Sequence, residues 1–194
     1  MNKITFKKSI FRGIGQTALL TASALLLFAC SNDDDDNPMP VEEEETITTM
    51  TITLAPEGGG EAITFQSRDL DGDGPNAPEI TVSNLAVNTS YTGSIELLNE
   101  TESPAERITP EIQEEDEDHQ FFFAPTGSLT GTSYADSDGN SNPVGLIFRL
   151  NTGVAGDGSL TVTLRHLPKK PNDGTLADAG GETDIAQTFD VLVE

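Results

Sequence analysis

The sequence predicts an all-β domain: an immunoglobulin- or fibronectin-like β-sandwich of seven to nine short strands with one short acidic helix. Apolar and polar residues alternate with a period of two through most of the chain after residue 46. Thr, Val, Ile and Phe dominate these runs, while Gly, Asn, Asp and Pro separate them. Strands of this kind bury one face and expose the other, and a two-layer sandwich covers the buried faces.

The alternating runs continue from the middle of the chain to its end. Each run carries apolar side chains at every second position, as a half-buried strand requires. The runs cover residues 50–54, 63–65, 80–82, 91–97, 146–150, 160–164 and 189–193. Gly156-Asp157-Gly158 lies between two of them and is typical of a hairpin turn.

One segment departs from the strand pattern and predicts the helix. Ser103-Pro104-Ala105-Glu106 has the form of an N-cap, a proline and a capping-box glutamate. Thr109-Pro110 repeats the cap and the proline. Because Pro110 would clash inside a continuous helix, we predict a short turn and then a helix from 110 to about 119. Ile108 and Ile112 would pack this helix on the sandwich, and its outer face, residues 114–118, is acidic.

The chain is strongly acidic, which bears on its partners. Its 194 residues include 33 Asp and Glu against 10 Lys and Arg, a net charge of −23. Four of the ten cations lie in the first twelve residues, so the rest of the chain has six cations, 33 acids and a net charge of −27. Such a chain repels phosphate backbones, and we predict no nucleic-acid partner. The single cysteine excludes an intrachain disulfide framework and a cysteine zinc site.

Residues 1–29 are predicted to be a lipoprotein signal peptide. A basic start precedes a short apolar stretch, 14–29, which is below the roughly 20 apolar residues of a membrane span. The sequence Leu-Phe-Ala-Cys that ends at Cys30 resembles the lipobox of bacterial lipoproteins, although Phe28 is bulkier than the small residue usual there. The resemblance implies that Cys30 is lipidated, and several acyl chains on it would anchor the protein firmly. An ordinary secretory signal with a chance cysteine is the alternative.

Residues 30–45 are predicted to form an acidic disordered tether. Two like-charge runs, 33–36 and 42–45, flank two prolines, and repulsion and proline keep such a stretch extended. Its Ser-Asn-Asp-Asp start resembles the export tag of surface lipoproteins of the Bacteroidota. That resemblance implies an outer-membrane lipoprotein on the cell surface, and a spacer facing the periplasm is the alternative. Residues 46–194 are predicted to fold as one β-sandwich domain.

Five segments carry a wider resemblance: the CSNDDDD start, EEEETITT, the RDLDGDGPNAP loop, EDEDHQFFF and TVTLRHLPKKP. With them, the chain resembles a group of small flavobacterial lipoproteins of unknown role. A type 1 periplasmic-binding fold is sometimes attributed to such proteins. That fold is α/β and much longer, and the strand pattern contradicts it. The resemblance therefore implies a lipoprotein identity, and it supplies no catalytic residues.

The clearest candidate metal site is the loop Asp69-Leu70-Asp71-Gly72-Asp73-Gly74. Carboxylates at positions 1, 3 and 5 with glycine at 6 suit Ca²⁺, a hard cation that takes oxygen ligands. Glu79 is a further candidate ligand, but it lies one place before the glutamate of an EF-hand, so the loop is not an EF-hand. Asp136-Ser137-Asp138-Gly139-Asn140 is a weaker copy without the glycine at position 6. Ca²⁺ is thus the candidate cofactor, and the alternative is that Asp and Gly simply form turns.

His119 and His166 are the only histidines and form a second candidate. In a helix that ends near residue 119, Glu115, Asp118 and His119 would share a face and hold Zn²⁺ or another divalent metal, with His166 as a candidate fourth ligand. The alternative for His119 is electrostatic, because it can supply positive charge at a helix C-terminus crowded with acids. The alternative for His166 is a strand-end residue with a satisfied hydrogen bond.

The sequence argues against an enzyme. Its only thiol is assigned to lipid, and it contains no G-x-S-x-G or H-E-x-x-H motif and no glycine loop for phosphate. We therefore predict a lipid-anchored, extracytoplasmic binding or adhesion module, with Ca²⁺ as a stabilising ion. Its predicted partners are the outer membrane, through lipidated Cys30, and a protein or small ligand. The alternatives are an accessory lipoprotein for outer-membrane uptake of a metal or small ligand, and an enzyme.

Overall fold

The computed structural model of the chain describes residues 45–72 and 74–194. These residues belong to the second of two compact units, Glu42–Glu194. The predicted signal peptide, Cys30, the tether up to residue 44 and Asp73 lie outside the described residues. No helix among the described residues is long and apolar enough to cross a membrane.

Within the described residues, ten strands in two antiparallel sheets, with two short helices, confirm the predicted all-β sandwich. The elements are β1 (Thr49–Pro56), β2 (Ile63–Arg68), β3 (Glu79–Thr81), β4 (Ser90–Asn99), β5 (Glu106–Arg107), α1 (Thr109–Glu114), β6 (His119–Gly127), β7 (Leu129–Tyr134), β8 (Ile147–Thr152), β9 (Gly156–His166), α2 (Leu176–Ala179) and β10 (Glu182–Val193). The strands exceed the predicted seven to nine because β3 and β5, of three and two residues, are separate edge pieces.

The strand order is that of an immunoglobulin constant-type sandwich with three additional strands. In the first sheet, β1-β4-β8-β7 reproduces the order A-B-E-D, and in the second, β6-β9-β10 reproduces C-F-G. The strands β2 and β3 extend the first sheet beyond β1, and β5 pairs with one end of β4. The predicted immunoglobulin-like class thus agrees with the order in which the strands pair.

The core lies between the two sheets and is built from the predicted alternating runs. The fully enclosed residues of these runs are Met50, Ile52, Leu54, Phe65, Tyr91, Leu97, Phe148, Leu150, Leu160, Val162, Leu164, Phe189 and Val193. Thr51 and Thr53, which alternate with them on β1, are half-exposed, as a period of two requires. The run 80–82 differs, because it forms an edge strand and Ile80 is 45% exposed.

The helix is shorter than the sequence predicts. It ends at Glu114 instead of near 119, and residues 115–118 form turns before β6 begins. Negative charges at a helix C-terminus are unfavourable, and the apolar residues that follow pair with β9 instead. The predicted capping box at 103–106 caps no helix, because Glu106 lies on β5. The N-cap of α1 is Ile108, and the Thr109 hydroxyl accepts a hydrogen bond from the Leu97 N–H instead of capping the helix. Ile108 and Ile112 are buried as predicted.

An ion pair joins the last residue of β2 to the residue that follows β4. Arg68 on β2 forms a two-pronged contact with Glu100, which follows β4, with Nη2 2.7 Å from Oε2. The hydrogen bonds from Arg68, and then from Thr49, lower the pKa of Glu100 to about 2. The carboxylate therefore stays ionised through the neutral and mildly acidic range.

Candidate metal centre

Glu45, His119 and Asp184 form the one group of three metal-ligating side chains that residues 45–72 and 74–194 contain. Their donor atoms lie within 4.8 Å of one another. We call this group the acid–histidine cluster. The sequence singled out His119 as a metal candidate, but it did not single out the two carboxylates.

His119 begins β6 and points into the sandwich. It lies in phase with Phe121, whose ring is part of the core, so its burial follows from the period of two. His166 on β9 is its partner on the neighbouring strand. The two imidazole rings stack, with centroids 4.7 Å apart and planes 5° from parallel. His119 is therefore fixed in direction by the sheet and by a neighbouring ring.

A backbone contact sets the tautomer of His119. Its Nδ1 lies 3.1 Å from the carbonyl oxygen of Glu115, at the C-cap of α1. Because a carbonyl oxygen can only accept, Nδ1 carries the proton and donates it. In the neutral ring, this leaves the Nε2 lone pair directed at the two carboxylates, as in histidines that bind metal ions.

Asp184 reaches the cluster through a β-bulge. Thr183 pairs with Arg165 and Ile185 with Leu164, so Asp184 is an extra residue on β10 at the register shift. A bulge of this kind redirects a side chain that regular alternation would place elsewhere. The Asp184 side chain is fully enclosed, and its Oδ2 lies 4.0 Å from His119 Nε2.

Glu45 comes from the segment before β1. We assigned it to the end of the tether, but its side chain is only 7% exposed and its Oε2 lies 3.6 Å from His119 Nε2. The ordered domain thus extends at least one residue beyond the predicted start at 46. The charge of Glu45 also acts on Glu111 of α1. Burial of Glu111, and then the charge of Glu45, raise the pKa of the Glu111 carboxyl group.

The distances in the cluster are longer than hydrogen bonds. The 3.6 Å contact fits two ligands of one metal ion, and the 4.0 Å contact would have to shorten by about 0.4 Å. Both 3.6 and 4.0 Å exceed the roughly 3.2 Å limit of a good N–H···O bond. Nitrogen and oxygen ligands at Zn²⁺ distances are about 3.3–3.6 Å apart in a tetrahedron. Within the described residues, His119 Nε2 and Glu45 Oε2 are buried and have no hydrogen-bond partner. Buried polar atoms of this kind call for an ion or a water molecule.

The predicted trio of Glu115, Asp118 and His119 is wrong. His119 lies on a strand and not on the helix that would place the three on one face. Glu115 contacts it through the backbone carbonyl, and the side chains of Glu115 and Asp118 are exposed. His166 is buried and stacks on His119, but it is not a member of the three-ligand group.

The described part of the Asp69 loop does not bring three ligands together. Asp71 Oδ2 accepts a hydrogen bond from the Asn76 side-chain amide at 2.7 Å, and Asp69 Oδ1 accepts one from the Asp71 N–H at 3.3 Å. Glu79 is exposed on β3, opposite Arg68. Since Asp73 lies outside the described residues, Ca²⁺ binding at this loop stays a prediction.

The weaker candidate, residues 136–140, is arranged as turns. Asp136 accepts hydrogen bonds from the N–H groups of Gly145 and Ile147. Asp138 accepts them from the N–H of Asn140 and the Nζ of Lys170. The Asn140 contact uses the backbone N–H, and the cation beside Asp138 is the Lys170 ammonium. These contacts are those of turns, and Ca²⁺ binding at this loop stays a prediction.

A groove of about 370 Å³ opens beside the acid–histidine cluster. One wall comes from the first sheet and its loops and includes Thr48, Ser67 and Asp69. The other wall is β10, from Asp184 to Gln187. Asp184 lines the groove and belongs to the cluster, so the groove and the cluster are adjacent.

Comparison of the chain with protein-family models finds no match. Searches of curated proteins and of solved structures also find no match. The candidate metal centre therefore rests on the geometry of this chain.

Proposed function

We propose that the protein is a lipid-anchored, extracytoplasmic β-sandwich whose acid–histidine cluster binds a divalent transition-metal ion such as Zn²⁺. One observation carries the proposal: the buried Nε2 of His119 has no hydrogen-bond partner among the described residues and faces two carboxylates. One imidazole nitrogen and two carboxylate oxygens suit borderline cations. Ca²⁺ and Mg²⁺ prefer all-oxygen sites.

The enclosure of the cluster bears on what the ion would do. His119 and Asp184 side chains are fully buried, which is typical of a site that holds its metal and does not turn over a substrate. A site that holds its ion suits a structural role within the binding or adhesion module that we predicted first, whereas an accessory role in metal uptake requires that the ion be released. In the adhesion module, the same ion would stabilise the fold. Both roles place the sandwich outside the cytoplasm, which rests on the predicted signal peptide and tether.

Isothermal titration of the full chain with Zn²⁺ should show one ion bound per chain. His119→Gln should abolish that binding, because it removes the only nitrogen ligand. Glu115→Gln is the matched control, since it removes an acidic side chain nearby and keeps the carbonyl that contacts His119. Zn²⁺ at 100 times its dissociation constant should add about 2.7 kcal/mol of stability, or about 5–11 °C in melting temperature. Equal heats for the wild type and His119→Gln would refute the site.

A calcium arm of the same titration separates the two metal hypotheses. Ca²⁺ binding that is lost in Asp71→Asn and retained in His119→Gln would assign calcium to the Asp69 loop. Mg²⁺ at equal ionic strength is the control, because it prefers a tight octahedron and keeps its waters. Equal melting shifts with Ca²⁺ and Mg²⁺ would identify diffuse screening and refute a calcium site.

The membrane anchor is tested separately. Cys30→Ser should abolish lipidation and move the protein out of the detergent phase in a partition experiment, because the remaining chain is highly charged. Mass spectrometry of the wild type should show the added acyl mass. A wild type without acyl mass would contradict the lipoprotein assignment and leave an ordinary secretory signal.

A further inference from the structure

We infer that the metal ion works as a latch that fastens the chain before β1 to the sandwich. By latch we mean a bond through the ion from Glu45 to His119 and Asp184. The inference rests on the proposed function, because it requires that the acid–histidine cluster binds a metal ion. It adds an ion-dependent attachment of residues 45–47 to the sandwich.

The three ligands differ in how firmly the fold holds them. His119 lies on β6 and Asp184 on β10, and both strands pair with β9 in the second sheet. Their backbones are therefore fixed relative to each other whether or not an ion is present. Glu45 lies outside every strand and helix and leads into β1 of the first sheet. An ion bound by all three would connect this segment to the second sheet.

Little else in the described structure holds Glu45 in place. The backbone groups of residues 45–47 make no hydrogen bond to another described residue. The first such bond is at Thr48, whose N–H donates to the Leu98 carbonyl at 2.9 Å. Between Glu45 and Thr48, only Ile47 packs on the core, and it is partly buried. Among the described contacts, the packing of Ile47 and the approach of the Glu45 carboxylate to His119 are thus what place this segment against the domain.

The charges of the two carboxylates in the cluster oppose that position of Glu45. The carboxylates of Glu45 and Asp184 have oxygens within 4.8 Å of each other, and like charges this close repel. The charge of Glu45 also acts on Glu111. Glu45 is the last of four consecutive glutamates, 42–45, in a chain of high negative charge. A divalent ion would turn this repulsion into attraction, so occupancy of the cluster should decide whether residues 45–47 lie against the domain.

Limited digestion with a glutamate-specific protease tests the latch on the full chain. At Zn²⁺ 100 times its dissociation constant, cleavage after Glu45 should slow by about 100-fold relative to chelator, because only the unlatched fraction is cut. Cleavage after Glu61, which is exposed between β1 and β2, should not change and serves as the internal reference. Products are identified by mass spectrometry.

Two variants each remove a different ligand of the latch. If one of them fails to fold, the other still gives a result. His119→Gln and Asp184→Asn should each make cleavage after Glu45 insensitive to Zn²⁺. For Glu45 itself, calorimetry with Zn²⁺ replaces digestion, because Glu45→Gln removes the cleavage site. Glu45→Gln should weaken Zn²⁺ binding by at least about 100-fold, since even second-shell partners contribute 10–100-fold. Glu61→Gln, at an exposed glutamate outside the cluster, is the matched control and should bind Zn²⁺ as the wild type does.

The outcomes separate the latch from the proposed function. If Zn²⁺ binds through His119 but leaves cleavage after Glu45 unchanged, the latch is wrong and the metal site stands. If Zn²⁺ does not bind the wild type at all, the proposed function fails and the latch fails with it. If residues 45–47 are equally protected with chelator and with Zn²⁺, packing or a protonated His119 holds the segment, and the latch is overturned.

Discussion

Phe148→Ala should lower the free energy of unfolding by about 3–5 kcal/mol, the range for truncating a buried phenylalanine. The Phe148 ring is fully enclosed in the core. It stacks on Phe123, with ring centroids 4.3 Å apart, and it pairs across the strands with Gly93 on β4. Alanine would remove the apolar contacts on both sides and leave a cavity between the sheets. Urea denaturation of wild type and variant measures the loss.

The glycine opposite the ring allows a sharper version of this experiment. A Cβ at Gly93 would lie 2.5 Å from the Phe148 ring, so Gly93→Ala alone should cost about 1–3 kcal/mol through overpacking. In the Phe148→Ala background the same change should cost far less, because the ring is gone. The double-mutant cycle should therefore give a coupling of about 0.5–3 kcal/mol.

Gly131→Ala is the matched control on the same sheet. A Cβ at Gly131 would meet no atom within 4 Å, so this change should have little effect on stability. If Gly93→Ala proved as harmless as Gly131→Ala, the Phe148 ring would not lie over Gly93 as the structure has it. The comparison thus tests the position of the ring as well as the size of the cavity.

Gly93 also shows how far the sequence could predict the fold. The alternation around Tyr91 and Ile95 placed residue 93 on the buried face, because a period of two assigns each residue to a face whatever lies opposite. The reason for a glycine at that position is Phe148, which is distant in the chain. The C-terminal end of α1 was missed for a similar reason, since the pairing of His119 with His166 on β9 replaces the last turn of the predicted helix.

The candidate site was less predictable than the fold. His119 was a candidate metal ligand because the chain has only two histidines. Its predicted co-ligands were chosen by helical spacing, which does not apply because His119 lies on a strand. Glu45 looked like one more charge in an acidic run. Asp184 is brought inward by a bulge, and the nearest glycines, Gly180 and Gly181, mark the start of β10 and not the bulge. A cluster assembled from a bulge, a strand start and the chain before β1 has no characteristic spacing, so only the folded chain brings it together.

Lys170→Met should also lower the free energy of unfolding by about 3–5 kcal/mol, because it leaves a buried charge without its partner. The Lys170 side chain is 6% exposed and that of Asp138 is fully enclosed. The ammonium donates to the Asp116 carbonyl and to Asp138 Oδ2. Burial alone would raise the pKa of Asp138, but the hydrogen bonds from Asn142 and Lys170 outweigh it and lower the pKa.

Because the pKa of Asp138 is lowered, the loss of unfolding free energy in Lys170→Met should depend on pH. In the wild type, the ionised Asp138 stabilises the fold above the carboxyl pKa of the unfolded chain, and this contribution is lost as pH falls through the lower folded pKa. In the variant, Asp138 loses its cation, so its pKa should rise and protonation should relieve the buried charge. The difference in unfolding free energy should therefore be largest near neutral pH and should shrink in acid.

Lys169→Met provides the matched control, because the adjacent lysine is 62% exposed and pairs with Asp178 at the surface. Removing an exposed pair should cost at most about 1 kcal/mol. Adding Asp138→Asn to Lys170→Met should recover part of the loss, since a neutral amide needs no cation. Equal losses in the two lysine variants would show that Asp138 does not depend on Lys170. A calcium-specific rise in melting temperature confined to Lys170→Met would show that the ammonium fills the position a metal ion would otherwise take.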